Sequence, residues 1–186
     1  MKLSRRQVML GLLGLGAARM LPKVGVARAA ASPGPAILEP DRERALGACA
    51  ERILPGALAA GFVPYMNYWL ARAPYDKLPD WKPLLRIGAV HLNRIARQRH
   101  QRSFADCTAQ QQDQILVSFQ QGKIRAKRFQ SGSFFQRMVM LTLESFLSDP
   151  KYGGNRDGVG FKFVGREHCW WAPKRIHQRV APKGTW

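Results

Sequence analysis

The sequence predicts an all-α protein: a single irregular helical bundle with long loops, a short extended segment near the carboxyl terminus and an irregular carboxyl-terminal arm. Three observations lead there. Apolar residues recur at three- and four-residue intervals over most of the chain between Leu46 and Leu147. Capping signals, prolines and glycines punctuate those stretches. Only one run, Gly158 to Gly165, reads as extended. The 186 residues divide into an export signal over 1–31, a helical domain over 32–165 and a basic, aromatic arm over 166–186.

At the amino terminus, Ser4-Arg5-Arg6-Gln7-Val8-Met9-Leu10 sets two adjacent arginines before an apolar run, the layout of a twin-arginine signal. The run from Val8 to Ala18 contains only Val, Met, Leu, Gly and Ala. It falls well short of the roughly 20 residues a membrane-spanning helix requires. Small residues at Ala27 to Ala31 suit a signal peptidase, so cleavage is expected near Ala29 to Ala31. Arg5 and Arg6 are therefore the export residues, and the expected destination is the periplasm.

After a Pro/Ala/Gly linker from Ala31 to Pro35, the spacing of Leu46, Cys49 and Ile53 predicts a first helix, stopped at Leu54-Pro55-Gly56. Pro64 is placed to open a short second helix whose aromatics, Tyr65, Tyr68 and Trp69, read as core. From Trp81 to Arg102, Leu84, Ile87, Val90 and Ile95 share one face while arginines fill the rest, an amphipathic surface helix. Thr108-Ala109-Gln110-Gln111 is a capping box opening a helix that Gly122 ends. Ser133-Phe134-Phe135-Gln136 reads as a second capping box, before a helix apolar on almost every face. Such a helix must be enclosed by its own bundle or by a second protein. Asp149-Pro150 stops it. Tyr152-Gly153-Gly154-Asn155 then supplies residues that tolerate positive φ and reverse the chain.

The formal net charge is +18; without residues 1–31 it is +12, from 24 basic against 12 acidic residues. A basic protein raises nucleic acid as a partner. Export removes it from reach, and the charges are spread without a long run, as on a solvated surface. Cys49, Cys107 and Cys169 form no metal or haem motif. In an oxidising compartment any two of them could pair, or all could be buried thiols. There is no G-x-S-x-G elbow, P-loop or H-E-x-x-H. His168 beside Cys169 is an isolated pair, and Asp149, Asn155 and Asp157 around the Gly-Gly turn are explained by turn formation before cation binding. No catalytic, cofactor-binding or metal-binding residue is assigned.

The segment from Phe146 to Lys162, with Asp149-Pro150-Lys151-Tyr152-Gly153-Gly154-Asn155 followed by Val159-Gly160-Phe161-Lys162, resembles subunit 3, the small subunit, of gluconate 2-dehydrogenase-type membrane flavin dehydrogenases. The likeness extends more loosely over Arg44 to Gly165. Phe161 stands where the family pattern has Trp, and Arg166-Glu167-His168 replaces an aromatic-Pro-Gly ending. The resemblance implies a non-catalytic subunit that supports folding, assembly and twin-arginine export of a partner. That partner is a large subunit carrying FAD and the catalytic residues, accompanied by a multihaem c-type cytochrome subunit. No cofactor is expected in this chain, and membrane contact is expected only through the complex. Tyr152, Gly153, Gly154, Asn155, Arg156 and Phe161 are the candidate partner-interface residues. Two other readings remain open from the residues alone: a free-standing periplasmic binding protein for an anionic ligand or membrane surface, and an enzyme whose site carries no known motif.

Overall fold

The computed structural model describes residues 37–73 and 80–165; the export signal, the linker and the carboxyl-terminal arm lie outside them. Six helices run in chain order: α1 (Pro40–Ile53), α2 (Phe62–Arg72), α3 (Lys82–His100), α4 (Ala109–Gln120), α5 (Ser131–Leu147) and α6 (Val159–Phe163). Short 3-10 turns occupy Phe104–Asp106, Pro150–Tyr152 and Arg156–Gly158, and a two-residue antiparallel ribbon pairs β1 (Arg125–Ala126) with β2 (Phe129–Gln130). The all-α expectation holds.

Helix α5 is the axis of the bundle, in contact with all five other helices and with β2. Its Phe134, Met138 and Leu141 are buried; removing a side chain of this kind from water contributes about 1.5–3 kcal/mol. Phe134 lies directly against Gly88 of α3, where any side chain would collide with the ring. It also meets Phe119 of α4 at 5.6 Å and Phe129 of β2 at 6.0 Å between ring centroids. The aromatic cluster beneath the ribbon thus ties three elements to the start of α5.

Buried polar groups fix the remaining joints. Asn93 Nδ2 donates to Asp41 Oδ2 at 2.8 Å, and its Oδ1 accepts from Phe104 N at 2.9 Å, so one amide joins α1, α3 and the Phe104 turn. Arg52 grips Asp113 with two bonds of 3.0 and 2.9 Å, linking α1 to α4. Thr108 and Gln111 form the expected capping box. Gly122 follows that helix with φ +68°, its N–H donating to Phe119 O. Cys49 and Cys107 are free, buried thiols. Burial alone pushes the Cys49 thiol far above its ordinary value, so it serves as packing; Cys169 lies outside the described residues.

Three expectations are corrected. In α3 the buried face carries Leu85, Ala89, Leu92 and Ile95; of the face expected from Leu84, Ile87, Val90 and Ile95 only Ile95 is buried, Leu84 and Ile87 are half-buried, and Val90 is 42% exposed. The second capping box does not form: α5 begins three residues earlier, at Ser131, with Gln130 at its N-cap and no side-chain cap. Ser131 instead ties the ribbon base, donating N–H to Ile124 O at 3.1 Å while its Oγ accepts from Ile124 N at 3.2 Å. The segment from Gly158 to Gly165 is not extended, because Val159–Phe163 is helix α6. Its alternating apolar pattern is met by helical turns, with Phe161 buried and Phe163 exposed.

What shapes the carboxyl-terminal end is a lock centred on Asn155. This residue is fully buried with φ 43°. Its N–H donates to Ser145 O at 2.8 Å, its Nδ2 to Ser148 O at 2.8 Å, and its Oδ1 accepts from Gly160 N at 2.7 Å. One side chain therefore closes the end of α5 and starts α6. Gly154 lies on the Ser145 carbonyl and Gly160 on the Phe146 carbonyl, both too close for a Cβ. Asn155→Ala would leave a buried amide and a buried carbonyl without partners and place Ala in the left-handed region. A loss of about 3 kcal/mol is expected, readable as a lower denaturant midpoint; a change below about 1 kcal/mol would show that the lock is not structural.

A second prediction follows from the ribbon, which is fastened where His91 of α3 stacks on Phe129 at 4.7 Å. Burial first, then the neighbouring Arg94, lowers the His91 pKa below its ordinary 6.5. The neutral ring is thus favoured in the folded state. The stability it contributes is fully present above pH 6.5 and is lost as pH falls through the folded pKa. Thermal melts between about pH 7.5 and 5 should fall more steeply for the native chain than for His91→Phe; parallel curves would remove His91 from the account.

Candidate functional site

Beside the Asn155 lock the bundle leaves an open apolar groove of about 340 Å3. Helix α2 contributes Tyr65 and Trp69, the second half of α5 contributes Met140, Leu143, Glu144 and Leu147, and the turn after α5 adds Asp149 and Tyr152. The site exists because α5 is apolar around most of its circumference and the neighbouring helices cover only part of it. Met140 remains 48% exposed.

An aromatic wall holds its shape. Trp69 packs edge-on against Tyr65 at 6.2 Å and against Tyr68 at 5.3 Å, and Tyr152 meets Tyr68 at 5.2 Å and Trp69 at 5.4 Å. Burial, and then the charge of Glu144, push the Tyr65 phenol up to about 12, partly offset by a hydrogen bond with Trp69. The phenol stays protonated across the physiological range.

The carboxylates at the groove are held by cations of the same chain. Glu144 takes two bonds from Arg137, at 3.3 and 3.1 Å. Arg137 itself lies over the Trp81 ring at 3.5 Å, which adds a cation–π attraction. Asp149 pairs with Lys151 at 3.1 Å and also accepts from Lys151 N, capping the Pro150–Tyr152 turn. With its charges paired and its walls aromatic or aliphatic, the groove offers apolar contact area bounded by ion pairs.

The structure separates the six candidate interface residues. Tyr152 is half-buried and lines the groove, and Arg156 is exposed, its backbone N–H donating to Ala60 O at 2.9 Å and its carbonyl accepting from Val159 N. Gly154, Asn155 and Phe161 are buried. Gly153, at φ +90°, fits against Pro64 and the backbone of Tyr65 at the start of α2. These four residues hold the chain's own joint and set the position of Tyr152 and Arg156. Arg5 and Arg6 lie outside the described residues, as do His168 and Cys169. Asp149 and Asn155 are committed to Lys151 and to the lock, and Asp157 is exposed. Among the described residues no group of three His, Cys, Asp or Glu is placed to hold a metal, and no helix is long and apolar enough to cross a membrane.

The sequence reading of Tyr65 and Trp69 as core holds, Tyr65 being buried and Trp69 packed against the core. The apolar residues around nearly the whole of α5 pointed to a helix needing cover from its bundle or a second protein, but sequence did not show that the uncovered part is a groove shared with α2 and Tyr152.

Compared with known proteins, the chain matches no curated protein and no solved structure. The family described as gluconate 2-dehydrogenase subunit 3 matches residues 40–167, a span that takes in every helix from α1 to α6, the groove and the Asn155 lock. The chain therefore belongs to the gluconate 2-dehydrogenase subunit 3 family.

Proposed function

We propose that this protein is the non-catalytic small subunit of a periplasmic, membrane-associated, FAD-dependent sugar or sugar-acid dehydrogenase of the gluconate type. In this reading it supports folding, assembly and twin-arginine export of the flavoprotein subunit, which carries the FAD and the reaction, while a multihaem c-type cytochrome subunit accepts the electrons. The observation that carries the reading is the family match across residues 40–167. The groove supports it from physics: an apolar surface of this kind on an otherwise charged protein is characteristic of a protein contact.

The roles divide by residue. Met140, Leu143, Leu147 and Tyr152 supply apolar contact to the flavoprotein subunit, and Arg156, exposed four residues beyond Tyr152, supplies a charge. Arg5 and Arg6 address the assembled pair to the twin-arginine route, which carries folded proteins and so suits a partner that receives its flavin before export.

Two measurements test this. Met140→Glu, at an exposed position, should leave the helical circular dichroism and thermal midpoint nearly unchanged while weakening co-purification of the flavin-bearing subunit at least about tenfold; Arg156→Ala should weaken it less. Unchanged recovery of flavin with both variants would exclude the groove as the contact. Separately, replacing Arg5 and Arg6 together by Lys should strand both this chain and the flavoprotein in the cytoplasm. Appearance of the flavoprotein in the periplasm despite the change would sink the escort role.

A further inference from the structure

At the end of α5 opposite the groove, five cations gather with no carboxylate among them. The ribbon places Ala126 against Phe129, leaving Lys127 and Arg128 as its two-residue tip. Lys123 and Arg125 stand just before the tip, and all four are exposed. The stacking of His91 on Phe129 fixes the ribbon on α3. Arg94 of α3, exposed and in contact with His91 Nδ1 at 3.2 Å, joins the same corner. The two stretches that build it, 81–105 and 114–143, contain no Asp or Glu. Arg42, Arg44, Arg52, Arg97, Arg137 and Lys151 are each paired with a carboxylate; among the described residues none of the five corner cations is, and unlike the other exposed cations they are grouped at one turn and the helix it is fastened to.

The backbone of the tip supplies a second observation. Arg128 has φ +61°, a conformation that glycine or asparagine adopts at less cost than arginine. The turn thus holds a cation at a position where its geometry favours a different residue. Retaining charge there at a conformational cost is a mark of function at a turn.

We propose that this corner, formed by Lys123, Arg125, Lys127, Arg128 and Arg94, is a docking surface for the anionic phospholipid headgroups of a bilayer. A protein interface is built around desolvated aromatic or aliphatic anchors; none of the exposed large apolar side chains of the described residues lies on the ribbon, and Val90, 42% exposed one turn before Arg94, is a single side chain beside the corner. What the corner has instead is several long cationic side chains on a projecting turn. That arrangement matches the diffuse negative potential of an acidic leaflet, where each Lys or Arg near the surface strengthens attachment about fivefold. The contact is direct, unlike the one implied through the complex, and it does not depend on a dehydrogenase partner.

The test uses the full chain with vesicles of phosphatidylcholine alone or with roughly 30% phosphatidylglycerol, read by co-sedimentation. Binding is expected only to the anionic vesicles and should be lost between about 50 and 500 mM salt. Replacing Arg125, Lys127 and Arg128 together by Gln should weaken partitioning about 100-fold. Replacing Arg99, Arg102 and Lys162 by Gln, an equal change of charge at exposed positions outside the corner, should cost much less. Arg128→Gly should lower binding about fivefold while leaving the thermal midpoint equal or higher, a combination that a purely structural role for Arg128 does not produce. Equal losses from the two triple variants, unchanged binding in Arg128→Gly, equal binding to neutral vesicles or no binding to either kind would each overturn the proposal.

Discussion

The structure depends on the need to surround one helix. Helix α5 carries Phe134, Phe135, Met138, Val139, Met140, Leu141, Leu143, Phe146 and Leu147 within its 17 residues, so no single packing face can keep it from water. The chain answers by wrapping it: α3 and α4 meet its first turn at Phe134, α2 and α6 its second half, and α1 packs against it as well. Each wrapping element then needs its own fastening. The buried amide of Asn93, the Arg52–Asp113 pair and the Asn155 lock are placed where those elements meet. A domain of this size leaves part of a helix so widely apolar uncovered, and the groove at Met140 and Leu143 is that remainder.

Much of the fold was legible in the sequence because its signals are local. The first helix, the arginine-rich helix, the Thr108 capping box, Gly122 and the stop at Asp149-Pro150 each rest on residues a few positions apart, where helix periodicity and terminal chemistry decide the outcome. The failures share a different cause. Ser133-x-x-Gln136 has the chemistry of a cap, yet β2 runs directly into α5 and commits Ser131 to Ile124 before Ser133 is reached. Val159 to Phe163 alternates like a strand, yet the Asn155 carboxamide receives the Gly160 amide and sets a helical start. In both places a tertiary hydrogen bond overrides the local pattern.

The candidate site was legible as a motif but not as a division of labour. Asp149 to Phe161 stood out by its resemblance to a family motif, and Gly153 and Gly154 were read as backbone devices, as the structure has them. That Gly154 and Gly160 rest on the carbonyls of Ser145 and Phe146 depends on how the end of α5 is approached, and sequence spacing carries no record of that approach. The same holds for Tyr152. Its role on the groove wall comes from Tyr68 and Trp69, more than eighty residues earlier in the chain. A motif whose interior is consumed by its own packing can still mark a functional surface, because it fixes the side chains at its margins.

The two surfaces left over by the packing sit at opposite ends of α5, and their chemistry is opposite as well. At 1.5 Å per residue the helix sets the groove residues Met140 to Leu147 about 14 to 24 Å from Ser131 at the base of the ribbon. The amino-terminal end meets solvent with exposed cations, and the carboxyl-terminal end with aromatic and aliphatic side chains whose neighbouring charges are paired. This polarity follows from the fastenings. Glu144 and Asp149 neutralise Arg137 and Lys151 at the groove end, which keeps that surface apolar. The acid-free stretch from Gln114 to Leu143 leaves the ribbon without partners for its cations. A helix enclosed this way presents one surface suited to desolvated contact and one suited to long-range attraction. The same α5 that requires the bundle to close around it thereby holds the two at a fixed separation, so neither can engage a partner by displacing the other.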